Sequence, residues 1–372
     1  MKIGFIKGGQ LGKMLLEAAP RFDIHSLVMD NDPECPCRHL CHEFVLGDAM
    51  NTGDVYAFGK KVDLLTFEYE HIDIEALKKL KTEGLAICPD PSILEIVQDK
   101  GRQKEFYRNR GIPTADFRLI AGRQELNACA DFFPAVQKLR KNGYDGKGVC
   151  KVASLQDIAG AFDAPSVLER CVDFDKEIAV IIARNAKGQT AVYPTVEMMF
   201  HPMKNLVEFL ISPADIPEKI NERARRVATD LAQALGLVGI LAVEMFVTKK
   251  GEVLVNEIAP RVHNSGHHTI EGSLTSQFEQ HLRAVMGLPL GPTDRVSPAV
   301  MVNILGEDGY KGKALYEGMD EALSLGGVYI HLYGKAITQP FRKMGHATVI
   351  DHDIQTALKK ARVVKDIIKV VV

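Results

Sequence analysis

The densest chemistry in this sequence lies in Asn256-Glu257-Ile258-Ala259-Pro260-Arg261-Val262-His263-Asn264-Ser265-Gly266-His267. A core-facing strand would continue in apolar residues. Here the apolar pattern stops at Ile258, and the types that follow are those that hold metals, phosphates and anions. A second carboxylate belongs with this stretch. Ile240 to Val247 and Glu252 to Ile258 read as strands joined by Lys249-Lys250-Gly251, and a two-residue Lys250-Gly251 loop sets Glu244 opposite Glu257. Their β-carbons would stand about 4.5–5.5 Å apart. Carboxylates that close repel unless one is protonated or a cation lies between them. Oxygen ligands on two strands suit Mg²⁺, whose shell substrate phosphates complete. A slip of one residue in the turn would break the alignment.

Cations stand elsewhere in the chain to meet such phosphates. Lys141-Asn142-Gly143-Tyr144-Asp145-Gly146-Lys147-Gly148 is a glycine-rich cationic loop after a strand-like Ala135 to Lys138, and its amides can close over phosphates. It is not a Walker A loop, because Gly148 and Val149 follow Lys147 where Ser or Thr would hold magnesium. Lys100 and Lys104 lie one turn apart on a helix expected from Ile93 to Arg110, so one face presents two cations. The turn Lys7-Gly8-Gly9-Gln10-Leu11-Gly12 departs from the dinucleotide fingerprint, with Lys7 in place of its first glycine. Two readings stand for it: the helix N-terminus with Lys7 receives a phosphate, or the glycines serve packing alone. Glu68 and Glu70 follow the strand Val62 to Phe67, either as ligand contacts or as a solvated helix start. Together these features indicate a nucleotide-using enzyme in which positioning and charge neutralisation drive phosphoryl transfer.

The elements that must position these groups follow from periodicity. Lys2 to Ile6, Leu27 to Met29 and Val62 to Phe67 alternate with helical segments, a βαβ rhythm that predicts an α/β parallel sheet. Pro89-Asp90-Pro91-Ser92 breaks the chain, and a first domain is expected over 1–98. Val167 to Val172 and Glu177 to Arg184 read as strands, and Pro217 to Leu237 as an amphipathic scaffold helix ending at Gly236. After Pro289-Leu290-Gly291-Pro292 the expectation is a β-rich lobe over 291–372, closed by a helix from about Asp353 to Lys369.

With 372 residues, 46% of them hydrophobic, the chain can bury cores for several domains. A formal charge of -2 lacks the basic excess of nucleic-acid or membrane-surface binders, which leaves small molecules as the expected ligands. No run approaches a membrane span. Seven cysteines without a signal-like N-terminus lead to the expectation of free thiols and a cytoplasmic setting. Cys35, Cys37 and Cys41, beside His39 and His42, suggest zinc by type but not by spacing, and a surface loop is the expected reading.

Five blocks carry a family resemblance in order along the chain: Gly9 to Gly12, Gly143 to Gly148, Asn256 to His267, Ser276-Gln277-Phe278-Glu279 and Arg342-Lys343-Met344-Gly345-His346. With these the sequence resembles the N5-carboxyaminoimidazole ribonucleotide synthase family of ATP-grasp enzymes. The resemblance implies an ATP-grasp fold (α+β overall) over 99–290, with a lid at about 115–173, behind a Rossmann-like domain and ahead of a small C-terminal lobe. It implies that ATP phosphorylates bicarbonate to carboxyphosphate. The amine of 5-aminoimidazole ribonucleotide then captures the carboxyl group, releasing ADP and phosphate in purine biosynthesis.

By the same resemblance, Lys100, Lys138 and the loop Gly143, Tyr144, Asp145, Gly146, Lys147, Gly148 and Val149 contact ATP. Glu169, Arg170, Cys171 and Val172 form the adenine hinge, Glu177 takes the ribose hydroxyls, and His201 and Asn256 add ATP contacts. Glu244 and Glu257 bind Mg²⁺, for which Mn²⁺ can substitute. Gln10, Glu70, Tyr144, Asp145, Lys147, Asn264, Ser265 and Arg342 hold the ribonucleotide and bicarbonate, with Arg261, His263 and Lys343 as the catalytic set. A homodimer is implied as well.

The sequence departs from the family pattern in places. Lys100 and Lys147 stand where arginine is common, which keeps the charge but loses the bidentate fork. The family's histidine aligns with Phe200 or, one residue on, His201. Lys7 replaces a glycine, and an added phosphate contact is expected of it. Another ATP-grasp ligase, such as a formate-dependent ribonucleotide transformylase or a biotin carboxylase, would share the ATP half with a different acceptor. A nucleotide-binding module without turnover is disfavoured, because Glu244, Glu257 and Lys138 are all present.

Overall fold

The computed structural model describes residues 1–141, 143, 148–201 and 206–372. The centre of the expected glycine loop, Tyr144, Asp145, Gly146 and Lys147, falls outside the described residues.

The N-terminal part is a five-stranded parallel sheet in the order Glu43–Leu46, His25–Asp30, Lys2–Ile6, Leu64–Phe67, Ala86–Ile87. Its central strands Lys2–Ile6 and Leu64–Phe67 are buried along nearly their whole length because helices cover both faces, as a parallel sheet requires. The helix expected from Ile93 to Arg110 is two helices, Pro91–Val97 and Lys100–Arg110. Asp99 makes the break. Its carboxylate caps the second helix at the amides of Gly101 and Arg102 and is gripped by Arg140 through Nε and Nη2, both at 2.8 Å.

Beyond these helices stands a small antiparallel sheet in the order Phe117–Ile120, Ser166–Arg170, Ala135–Leu139, Val149–Val152. The large antiparallel sheet runs Val253–Ala259, Gly239–Thr248, Phe174–Arg184, Val196–Phe200, Val207–Ser212, Ala299–Leu305, Lys343–Ile350, Val328–Leu332, with Thr190–Val192 beside Phe174–Arg184. It is continuous through the pairing of Val207–Ser212 with Ala299–Leu305, so the C-terminal strands extend the central sheet.

One face of that sheet is covered by the helix Glu218–Ala234, which presents Ala224, Val227, Ala228 and Leu231 at helical spacing to Ile178, Val180, Leu241 and Val243. The other face meets the helix Gln277–Val285, whose Phe278 and Leu282 share a core with Met14 and Leu15 of the N-terminal part. His281 pins the same junction: its ring lies 2.8 Å from Thr66 Oγ1 and accepts from the amide of Ile240. The C-terminal helix is Ile354–Ile367, capped by Asp353. Among the described residues no helix is long and apolar enough to cross a membrane.

The cysteine loop departs from its expected surface position. Cys35 and Cys37 are buried in the N-terminal core, where they close against the glycine turn. A β-carbon at Gly8 would stand 2.8 Å from Cys35 Sγ, and one at Gly12 would stand 3.1 Å from Cys37 Sγ. The turn therefore needs these glycines for packing.

Candidate active site

The hairpin that carries the acid pair is built differently from the two-residue loop expected for it. Thr248 and Glu252 close a three-residue connection, Lys249 to Gly251, in which Gly251 takes the left-handed conformation at φ 78°. Val247 faces Val253 and Met245 faces Val255, but the register then shifts, and Glu244 faces Glu257. Asn256 is the extra residue of a bulge. The longer turn and the bulge each displace the pairing by one residue in opposite senses, so the expected pair forms. The bulge has a second effect. Neighbouring side chains on a regular strand point to opposite faces, whereas Asn256 and Glu257 both line the same cleft.

That cleft, of about 640 Å³, lies between the small sheet and the large one. At one end Lys100 donates to Glu257 Oε2 at 2.7 Å, and Lys138 donates to Asn256 Oδ1 at 2.8 Å and to Glu169 Oε2 at 3.1 Å. The Lys100 ammonium holds the Glu257 carboxyl below the usual range, while burial and the charge of Glu257 push Glu244 upward. The two carboxylates face each other and repel, so a cation between them is favoured. Its donor set, two carboxylates from adjacent strands, fits a hard divalent ion. Glu177 stands in the same wall with its carboxyl raised to about 7 by burial, against the pull of Lys138.

The segment Glu169 to Val172 forms another stretch of wall, with Gly143 and Val149 near it. Glu169 itself is turned inward. Burial would raise its carboxyl, but Lys138 and Lys104 outweigh this and hold it low. Arg170 lies over the Phe132 ring at 4.4 Å. At the other end Arg261 Nε and Glu70 Oε1 form an ion pair at 3.1 Å, out of hydrogen-bond alignment. His263 stands beside them with Nε2 3.6 Å from Glu244 Oε1 and Nδ1 accepting from the amide of Ser265. Burial, then the charges of Arg261 and Lys343, push its imidazole down to about 3. It is a neutral ring.

Several expected residues stand outside the walls of the cleft. Ser265 is buried beneath His263, and Asn264 opens the short turn Asn264–Gly266. His201 follows the strand Val196–Phe200, and its amide donates to Leu206. Arg342 donates to the carbonyl of Ile337 at 2.6 Å. Gln10 and Lys343 are joined by Lys335, which donates to the Gln10 side chain and the Lys343 carbonyl at 2.7 Å each.

Lys335 was missed by sequence reasoning, as were Gln98, which donates to the carbonyls of Glu70 and Ile72, and Arg140. Single polar residues far apart in sequence carry no spacing signal. The turn at Lys7 is already satisfied: Lys7 donates to Asp30 and Asn31, and the Glu68 carboxylate accepts from the amides of Gly9 and Gly12. With those amides held by Glu68 and the glycines packed against Cys35 and Cys37, the contacts at this turn favour its packing reading over the phosphate one.

The comparisons with known proteins agree along the chain. Family models match at residues 1–98 (ribonucleotide synthetase preATP-grasp domain), 105–278 (ATP-grasp domain) and 299–360 (phosphoribosylaminoimidazole carboxylase C-terminal domain). N5-carboxyaminoimidazole ribonucleotide synthase of Brucella melitensis is 38% identical over 94% of this chain and 96% of its own. A chloroplastic phosphoribosylaminoimidazole carboxylase of Vigna aconitifolia is also 38% identical, and this chain spans 65% of its length. The crystal structure of N5-carboxyaminoimidazole ribonucleotide synthetase from Thermotoga maritima superposes with a TM-score of 0.93 at 46% identity, over 100% of this chain and 99% of that one. An Aspergillus clavatus N5-carboxyaminoimidazole synthase, solved with ADP and 5-aminoimidazole ribonucleotide, superposes with a TM-score of 0.90 at 32% identity, over 98% and 97%.

Proposed function

The chain belongs to the N5-carboxyaminoimidazole ribonucleotide synthase family of ATP-dependent ligases, and we propose that its cleft joins bicarbonate to 5-aminoimidazole ribonucleotide at the expense of ATP. One observation carries the reading. A single cleft holds phosphate-seeking lysines and facing carboxylates at one end, and an arginine, a neutral imidazole and a carboxylate at the other.

ATP lies with its phosphates toward Lys100 and Lys138, its base along Glu169 to Val172 and its ribose toward Glu177. Glu244 and Glu257 would hold Mg²⁺, or Mn²⁺ in its place, which supplies charge neutralisation to the transferring phosphoryl group. Bicarbonate oxygen attacks the γ-phosphorus, forming carboxyphosphate and ADP. Arg261 on the cleft wall offers the cation that steadies the new anion, and the charge of Lys343 reaches the same region from outside the wall. The ribonucleotide amine then attacks the carboxyl carbon, the bond to phosphate breaks, and the proton of the amine passes to the departing phosphate. His263, kept neutral and fixed at Nδ1 by Ser265, presents Nε2 to the reacting end without adding a charge. The small sheet over residues 117–170 acts as the lid that shields carboxyphosphate from water.

The test is ADP release from ATP and Mg²⁺ with bicarbonate and 5-aminoimidazole ribonucleotide supplied singly and together. Release that requires both supports the reading. Release driven by formate, or by biotin in place of the ribonucleotide, would replace the acceptor.

A further inference from the structure

We propose that Lys104, a buried lysine with no place on the cleft wall, is a positioning residue that frees Lys138 for the ATP phosphates by sharing the charge of Glu169. The proposal rests on the reading of the cleft as an ATP site and adds a residue to it.

Lys104 belongs to a closed ring of polar contacts. Lys104 Nζ donates to Thr114 Oγ1 at 2.6 Å, and that hydroxyl donates to the carbonyl of Val255 at 2.7 Å. Val255 precedes the bulge residue Asn256. Asn256 accepts from Lys138, Lys138 donates to Glu169, and Glu169 Oε2 returns to Lys104 Nζ at 3.3 Å. The ring joins the helix Lys100–Arg110, two strands of the small sheet and the strand that carries Glu257.

A lysine that is 2% exposed is a costly way to fill space, since a methionine of similar length would avoid the desolvation of an ammonium. Burial draws it down to about 8 even with Glu169 beside it. Its use lies in the count of charges. Two ammonium groups divide one carboxylate, so the trio carries one surplus positive charge, and the accessible member is Lys138, 13% exposed against 2% for Lys104. Without Lys104, Glu169 and Lys138 become a one-to-one pair. The carboxylate then neutralises the cation that should meet the phosphates and draws it back from the cleft.

The test uses the full chain and four proteins: wild type, Lys104→Met, Lys104→Gln and the double variant Lys104→Met/Glu169→Gln. We expect Lys104→Met to raise the ATP KM about tenfold while the ribonucleotide KM changes less than about twofold. The decisive readout is the double variant. Removing the Glu169 charge restores the surplus on Lys138, so the ATP KM of the double variant falls at least about threefold below that of Lys104→Met, even though Glu169 itself lines the cleft. A role confined to holding the ring together predicts the opposite, because the double variant has lost more contacts. An ATP KM in the double variant no lower than in Lys104→Met overturns the proposal, as does an unchanged ATP KM in Lys104→Met. If the methionine variant does not fold, Lys104→Gln, which removes the charge but retains an amide donor, must itself raise the ATP KM about tenfold, and an unchanged KM overturns the proposal. Wild type that neither binds ATP nor releases ADP with any of the acceptors above would instead sink the ATP reading itself.

Discussion

The two ends of the motif Asn256 to His267 treat ionisable groups in opposite ways. At the strand end Lys100, Lys104, Lys138, Glu169 and Glu257 are charged and paired, each within 3.3 Å of an opposite charge. At the other end burial pushes His267, His268 and His346 down, so they are neutral rings. His346 stacks between His267 at 4.6 Å and His331 at 4.5 Å, and the Tyr333 hydroxyl lies 3.1 Å from His346 Nδ1. The first region is a set of ion pairs that a triphosphate and a metal can re-partner. The second is a packed seam between the motif and the strands Val328–Leu332 and Lys343–Ile350. Charge is held where it will be exchanged, and imidazole is kept neutral where shape must persist.

The sharpest break of this contrast is at Glu257. Glu257→Gln keeps the shape but removes the charge that faces Lys100 and a metal. We expect kcat/KM for ADP release to fall by about 10²–10³-fold, with chelation of Mg²⁺ abolishing turnover in wild type and added Mn²⁺ restoring it. The melting temperature should move little, because the lost pair with Lys100 is offset by relief of repulsion at Glu244. Full activity in the variant would remove the metal assignment and leave Glu257 as a tether for Lys100.

Acid probes the neutral set. His281 accepts from the amide of Ile240, and burial holds its imidazole down at about 4. The unfolded ring takes a proton below about 6.5. Between those values the unfolded chain binds the extra proton, so stability is full above pH 6.5 and is lost as the pH falls toward 4, by about 3 kcal/mol for this one ring. Thermal melts across this window should show the loss, and His281→Gln should reduce the slope by about one proton. An unchanged slope in the variant would assign the acid sensitivity to the other buried histidines.

The contrast also sorts what was legible in the sequence. The acid pair was readable because a hairpin fixes facing residues by counting. It survived an error in the loop only because the bulge at Asn256 cancelled it. The parallel sheet, the amphipathic helix Glu218–Ala234 and the lysine pair Lys100 and Lys104 came from local periodicity. Local pattern failed where distant chain settles a local question. The helix broke at Asp99 because Arg140 grips it, Cys35 and Cys37 were buried by the glycine turn, and the amides of that turn went to Glu68. The histidine seam was invisible for the same reason, since His267, His331 and His346 lie far apart in sequence.

The smallest expected effect is at Lys7, where sequence suggested a phosphate contact and structure offers a local one. Lys7 sits in the left-handed region at φ 73°, a conformation that costs a residue with a β-carbon about 1 kcal/mol. Its ammonium meets Asp30 at 2.7 Å, with the Lys7 side chain 22% and the Asp30 side chain 4% exposed, and such a half-buried pair is worth on the order of 1 kcal/mol. Asp30 keeps other donors without it, the amides of Gly8 and Asp32. Lys7→Gly therefore exchanges a strained backbone for a weak ion pair, and the melting temperature should shift by no more than about 2–4 °C. The ribonucleotide KM should stay within about twofold, because an uncommitted cation is not being removed. A tenfold rise would mean that Lys7 leaves Asp30 when the ribonucleotide binds, and the charged region would then extend to the glycine turn.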